Sequence, residues 1–203
     1  EGDIVCDNIY KQQPVEEHLV YIFNKYIKPN FIIVEGGTYV GIHTIRFSTL
    51  VPQGHVYCFE ASERNYNLVK HTLTENNIKN VTLYNKALYC KNDTVYLNQS
   101  WSPDQDSITT SGNIPIEGIA IDSLNLQHVD FLKLDIEGGE LNALKGAINT
   151  INKFKPIITF EYLKHLNVES PIPFLIENGY DVFRSEEHTS ELQSPCNLVC
   201  RLL

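Results

Sequence analysis

The stretch Phe31-Ile32-Ile33-Val34-Glu35-Gly36-Gly37-Thr38-Tyr39-Val40-Gly41 runs from an apolar segment of strand length into an acid and paired glycines, and a helical pattern follows from Val40 towards Leu50. A buried strand, a tight turn and a helix in that order begin a βαβ unit. Glycine lets the backbone approach a ligand closely, and amides exposed at a helix start favour a negatively charged group such as a carboxylate. An acid at the strand end suits a cationic partner. Glu35, Gly36, Gly37, Thr38, Tyr39 and Gly41 are therefore candidate ligand contacts. The plainer alternative is a tight turn that uses its glycines for packing alone.

The same rhythm extends on both sides. Residues 14–27 place Val15, Leu19, Ile22, Phe23 and Tyr26 on one face before Pro29 stops the pattern, as in a leading amphipathic helix. Pro52 and Gly54 turn the chain into a second strand at 55–59, after which Ser62 is placed to cap a helix carrying Tyr66, Leu68, Val69 and Leu73. Asn76, Asn77 and Asn80 lead into a third strand at 81–84. Residues 94–97 and 114–119 read as extra strands around a polar loop holding Trp101, Pro103, Asp104 and Gly112, and its lack of periodicity suits a substrate-facing segment. An apolar strand at 129–134 precedes a helix marked by Leu141, Leu144, Ala147, Ile148 and Ile151. A strand at 157–160, a short helix at 173–177 and a strand at 180–183 follow. With no internal repeat or linker, the expectation is one doubly wound α/β domain with a mostly parallel sheet over residues 1–183.

Two more groups of acids stand at strand ends. Glu60 closes the second strand with Ala61 beside it, and in nucleotide-binding α/β folds a carboxylate there accepts hydrogen bonds from ribose hydroxyls. Its alternative is a solvated carboxylate welcomed by the helix start. In Lys133-Leu134-Asp135-Ile136-Glu137-Gly138-Gly139-Glu140 a buried strand runs into a charge-dense turn. Asp135 suits a general base or a group orienting an acceptor, and Glu137 suits the same role or merely holds the turn. Glu137 and Glu140 also fall in the expected first helical turn, where the dipole stabilises acids whatever their function. Asn85, Lys86 and Ala87 end the third strand, so Lys86 and Ala87 are candidate backbone contacts to a base ring.

Composition narrows the classes. Sixteen basic residues against 25 acids give a net charge of −9, a poor footprint for gripping a phosphate backbone. No apolar run reaches the ~18 to 20 residues needed to span a bilayer, and the N-terminus lacks the order of a signal peptide, so a cytoplasmic protein without membrane partners is expected. The seven histidines form no HxxxH or HExxH pair and the five cysteines no CxxC, so neither a metal site nor a disulfide framework is expected. The lack of methionine suggests a start upstream of Glu1. Residues 184–203 resemble the translation of a sequencing-adapter oligonucleotide and are read as a non-native tail, with the natural C-terminal strand lost; the alternative is a polar loop followed by a strand at 197–203.

Taken together, VEGGTYVG (34–41), YCFEAS (57–62) and FLKLDIEGGELNALKGA (131–147), with weaker support from KAL, IDSL and ITFEYL, resemble the FkbM family of methyltransferases. The resemblance implies a Rossmann-like methyltransferase domain, S-adenosylmethionine as cofactor, and methyl transfer to a hydroxyl of a sugar or other small-molecule or glycan acceptor. It implies that Glu35 and Gly37 hold the amino-acid end of the cofactor, Glu60 the ribose, and Asp135 with Glu137 the acceptor side. The chain departs from the family where Glu35 replaces an aspartate and where Thr38 and Tyr39 replace an alanine and an asparagine. Those departures leave open a methyltransferase-shaped protein that binds without catalysing. An NAD-dependent oxidoreductase should show GxGxxG in place of EGGTYVG, and a nucleic-acid methyltransferase an NPPY or DPPY element.

Overall fold

A computed structural model describes residues 16–99, 106–162, 168–184 and 196–201. Helix α1 (Glu17–Tyr26) precedes β1 (Ile32–Gly36), α2 (Ile42–Leu50), β2 (His55–Phe59), α3 (Glu63–Glu75) and β3 (Val81–Tyr84). The short strands β4 (Ala87–Leu88), β5 (Asp93–Asn98), β6 (Ser107–Thr109) and β7 (Ile114–Ile119) come next, then a 3-10 turn at Ile121–Leu124. The chain continues through β8 (Phe131–Leu134), α4 (Glu140–Lys145), α5 (Ile148–Phe154), β9 (Ile157–Tyr162), α6 (Pro171–Glu177), β10 (Asp181–Arg184) and β11 (Cys196–Arg201).

The main sheet has the order β10-β11-β9-β8-β1-β2-β3. Pairings from β3 through β2, β1 and β8 to β9 are parallel, and β11 runs antiparallel between β9 and β10. Successive residues of a strand face opposite sides of the sheet, so the fully apolar runs feed two cores. Ile33 and Phe131 pack with Leu19, Phe23 and Phe47 beneath α1 and α2, whereas Val34 and Leu132 pack with Leu144, Ile151 and Leu175 beneath α4, α5 and α6. From β1 the chain builds outward to β3 and then returns to add β8 and β9 on the other side. The switch point therefore lies between β1 and β8, where open α/β sheets bind their ligands beyond the strand ends.

The α/β class, the parallel sheet and the leading helix agree with the sequence reading, and four particulars differ. Ser62 occupies the N-cap of α3 but its side chain makes no capping bond. The extra strands, which the sequence reading assigned to no sheet, form a second one with two further strands, ordered β4-β7-β5-β6. Part of the expected polar loop is strand β6, paired with Tyr96–Asn98, while Trp101, Pro103 and Asp104 lie outside the described residues. The slot expected to have lost its strand is filled by Cys196–Arg201, close to the alternative at 197–203. Among the described residues, no helix is long and apolar enough to cross a membrane.

Candidate active site

The glycine turn after β1 is left-handed at three points, Gly37 (φ 76°), Tyr39 (φ 49°) and Gly41 (φ 86°). A Cβ on Gly37 would lie 1.7 Å from the carbonyl oxygen of Asp135, so only glycine lets this turn rest on the one that follows β8. The amides expected to greet a ligand's anion are already in use. Gly37 N–H donates to Phe59 O (2.9 Å) and Gly41 N–H to Thr38 O (2.8 Å). Thr38 N–H (3.1 Å), Thr38 Oγ1 (3.2 Å) and Tyr39 N–H (2.8 Å) all donate to Glu60 Oε2. The anion at this turn is thus the protein's own carboxylate, delivered from the neighbouring strand end. Glu60 Oε1 accepts one bond from Ser62 N–H (2.9 Å). Burial raises the Glu60 carboxyl to about 7, against the lowering effect of the Ser62 and Thr38 donors.

Glu35 faces the α2 side of the sheet and is fully buried. Thr44 Oγ1 (2.7 Å) and Cys58 Sγ (3.3 Å) donate to its Oε2, while its Oε1 has no hydrogen-bond partner among the described residues. Register aligns Cys58 with Glu35, Glu35 with Lys133 and Lys133 with Thr159, a polar row across four buried strands. Lys133, 3% exposed, donates to Asp135 Oδ2 (3.0 Å). Burial works to lower its ammonium, but the carboxylates of Asp135, Glu35 and Glu16 prevail and raise it above the ordinary lysine value.

Beyond β8 the turn reverses through Glu137 (φ 51°) and Gly138 (φ 91°). The helix starts only at Glu140, so Glu137 precedes it and does not share its first turn, as the sequence reading had placed it. Glu140 bends back so that its Oε1 accepts from Ile136 N–H (3.0 Å) and Gly138 N–H (3.4 Å). It is 3% exposed, and burial raises its carboxyl to about 7. Carboxylate oxygens of Asp135, Glu137 and Glu161 all lie within 4.8 Å of one another, a group of a kind that a metal ion could bind. The sequence reading, which expected no metal site, passed over Glu161. Its only signal was an acid after an apolar run, with no glycine turn to draw attention to it.

Other expected contacts sit less openly. Gly36 ends β1, with the Leu88 side chain where a Cβ would point. Ala87 is buried in β4, paired with Gly118, and the Lys86 ammonium is bound to Glu117 (2.6 Å), so neither offers a side chain to the strand ends. The carbonyls of Glu60 and Ala61 accept from Asn85 Nδ2 (2.9 and 3.2 Å), which pins the end of β2.

Is this crevice suited to the cofactor that the sequence implies? S-adenosylmethionine carries an ammonium and a sulfonium. The crevice offers Glu35 with an unmatched buried oxygen, the Asp135–Glu137–Glu161 group, and a glycine cradle that any Cβ at position 37 would fill. The donor set fits a cation.

Comparison with known proteins agrees. The chain is similar in fold to the FkbM methyltransferase of Methylobacillus flagellatus KT (TM-score 0.63, 18% identity, 85% of this chain and 44% of that one). It also resembles a Streptococcus mutans protein assigned as a methyltransferase and solved with SAH, S-adenosylhomocysteine (TM-score 0.61, 13% identity, 94% and 99%). A third likeness is to the precorrin-6y C5,15-methyltransferase of Geobacter metallireducens GS-15 (TM-score 0.57, 16% identity, 93% and 88%). The chain thus spans less than half the length of the Methylobacillus protein. No curated protein matches it. The family model of the methyltransferase FkbM domain matches residues 35–182, a span that takes in the glycine turn, Glu60, Asp135 and Glu161. S-adenosylmethionine is the cofactor that this match implies, and the chain belongs to the FkbM methyltransferase family.

Proposed function

We propose that this chain is the cofactor-binding domain of an O-methyltransferase that acts on a hydroxyl of a sugar, a glycan or another small-molecule acceptor. The observation that carries this reading is the set of carboxylates flanking the switch point, Glu35 and Glu60 on one side and Asp135, Glu137 and Glu161 on the other. When bound, S-adenosylmethionine supplies a methyl group activated by a sulfonium. Glu35 Oε1 faces the ammonium end, with Gly36, Gly37, Thr38, Tyr39 and Gly41 shaping the surface around it. Glu60 Oε1, which accepts one bond, keeps a lone pair for a ribose hydroxyl. The backbone at Ala61, Lys86 and Ala87 borders the base. Asp135 receives the acceptor's hydroxyl proton while Lys133 holds its Oδ2, and Glu137 orients the acceptor. Holding the acceptor oxygen in line then accounts for much of the rate. The net charge of −9 favours an uncharged acceptor over a nucleic acid.

The test is to incubate the protein with methyl-tritiated S-adenosylmethionine and a panel of monosaccharides, oligosaccharides and hydroxylated natural products, with amines and carboxylic acids as controls. Label in alkali-stable ethers is expected. Label confined to amines or esters would overturn the acceptor class. Cofactor binding without label on any acceptor would favour a binding protein of methyltransferase shape.

A further inference from the structure

We propose that Glu16, held in place by His43, is a further binding residue at the amino-acid end of the crevice, where its carboxylate joins Glu35 in taking the cofactor's ammonium. The proposal rests on the reading of that crevice as the S-adenosylmethionine site. Helix α1 ends at Tyr26 and β1 begins at Ile32, so the chain turns back after a short connection and α1 lies antiparallel to β1. Ten helical residues rise about 15 Å, close to the length of a five-residue strand. Leu19, Ile22 and Phe23 hold the helix against Ile33, Phe47 and Phe131, on the face of the sheet that carries Glu35. The start of α1 therefore stands beside the C-terminal ends of β1 and β8.

Glu16, the residue before the helix, does not cap it with its side chain. That side chain reaches across to His43, the second residue of α2, whose Nε2 lies 2.6 Å from Glu16 Oε2. An ionised carboxylate only accepts, so Nε2 carries the proton and donates it to this bond. The His43 ring is buried and set edge-on to Phe23, with ring centroids 5.2 Å apart. Packing thus fixes the ring, and the ring fixes the carboxylate just beyond the glycine turn. The Glu16 side chain itself stays 30% exposed, open to a ligand.

Charge balance gives the sign of that ligand. Burial works against the charge of Glu16, but the hydrogen bond and charge of His43, with smaller help from Lys133 and His18, lower its carboxyl to about 2. Glu16, Glu35 and Asp135 all act on Lys133, whose ammonium is bonded to Asp135. Three carboxylates around one lysine leave this end of the crevice short of positive charge. Glu35 Oε1, in a fully buried side chain, has no partner among the described residues. A cation with several N–H donors fits that deficit, and an ammonium carries three.

The experiment is calorimetry on the full chain with SAH and with its deamino analogue, in which hydrogen replaces the amino group. Glu16→Gln should weaken SAH binding about tenfold, one decade in Kd, and leave the deamino analogue within about twofold of the wild type, because only SAH brings the ammonium. His43→Leu should show the same selective loss, and His43→Gln, whose amide can still donate to the carboxylate, should recover most of it. Thermal melts confirm that each variant is folded. Should Glu16→Gln fail to fold, Glu16→Asp draws the charge back by one methylene, and SAH is again the ligand that suffers. Equal SAH affinity in the wild type and the Glu16 variant would overturn the proposal. So would an equal loss for both ligands, which would mean that the pair only braces α1 against α2. Either result with SAH bound by the wild type leaves the cofactor site standing, whereas a folded wild type that binds no SAH would sink the cofactor reading and this proposal with it.

Discussion

Tyr39 shows how one residue can carry a departure and its consequence. The family resemblance puts asparagine there, and asparagine visits left-handed backbone far more readily than a bulky aromatic residue. The position is left-handed, φ 49°, with its N–H tied to Glu60. Tyr39→Asn is therefore expected to stabilise the protein by about 1 kcal/mol, a rise in Tm of about 2 to 4 °C by calorimetry. An unchanged or lower Tm would mean that the tyrosine ring's contacts outweigh the backbone strain. The positions of Glu35, Glu60 and Asp135 were legible because each stands where an apolar run ends, but their partners were not. Spacing places Glu60 at a strand end; it does not say that the turn's own amides will claim one of its oxygens before any ligand does. Glu161 was missed for a related reason, since its importance lies in the neighbouring strand and not in its own stretch of sequence.

At the scale of elements, periodicity located the parallel strands and the helices and missed the interruptions. Leu141, Leu144, Ala147, Ile148 and Ile151 read as one helix, yet the chain makes two, α4 and α5. The break falls at Gly146, where a Cβ would lie 2.1 Å from the Tyr89 carbonyl oxygen, a tertiary contact that no local pattern encodes. Asp122, from the 3-10 turn, then supplies the cap that α5 lacks. It accepts from Asn149 N–H (2.9 Å), Thr150 N–H (2.8 Å) and Thr150 Oγ1 (2.7 Å). Asp122→Ala should cost about 1 to 2 kcal/mol, the usual price of losing a helix cap. Urea denaturation checks it, and an unchanged midpoint would show that water replaces those bonds at no cost. Of the short strands, β5 and β7 were recognised, whereas β4, β6 and the grouping of all four into a separate sheet depend on pairings between residues far apart in sequence. Filling of the slot between β9 and β10 by Cys196–Arg201 was likewise a matter of tertiary placement, so solution work should keep the full chain.

For the whole molecule, the two turn-capping carboxylates make a statement about pH. Glu60 and Glu140 are each raised by burial from 4.5 to about 7. A carboxyl whose folded value exceeds its unfolded one binds its proton more tightly in the native state. Its contribution to stability is therefore full below about pH 4.5 and lost as pH rises through about 7, on the order of 3 kcal/mol per group. Glu140→Gln should flatten this fall, because its amide oxygen can still accept from Ile136 and Gly138. Urea midpoints at pH 5 and pH 8 in the two proteins check this, and an identical slope in both would contradict it.

On the reading proposed above, the crevice between β1 and β8 takes S-adenosylmethionine. That reading is tested most directly by calorimetric titration of SAH into the full chain at pH 7, at two temperatures so that a vanishing enthalpy cannot hide binding. One site is expected, with a Kd of about 1 μM to 1 mM, the usual range for enzyme ligands. A folded protein that gives no binding heat at either temperature would contradict it.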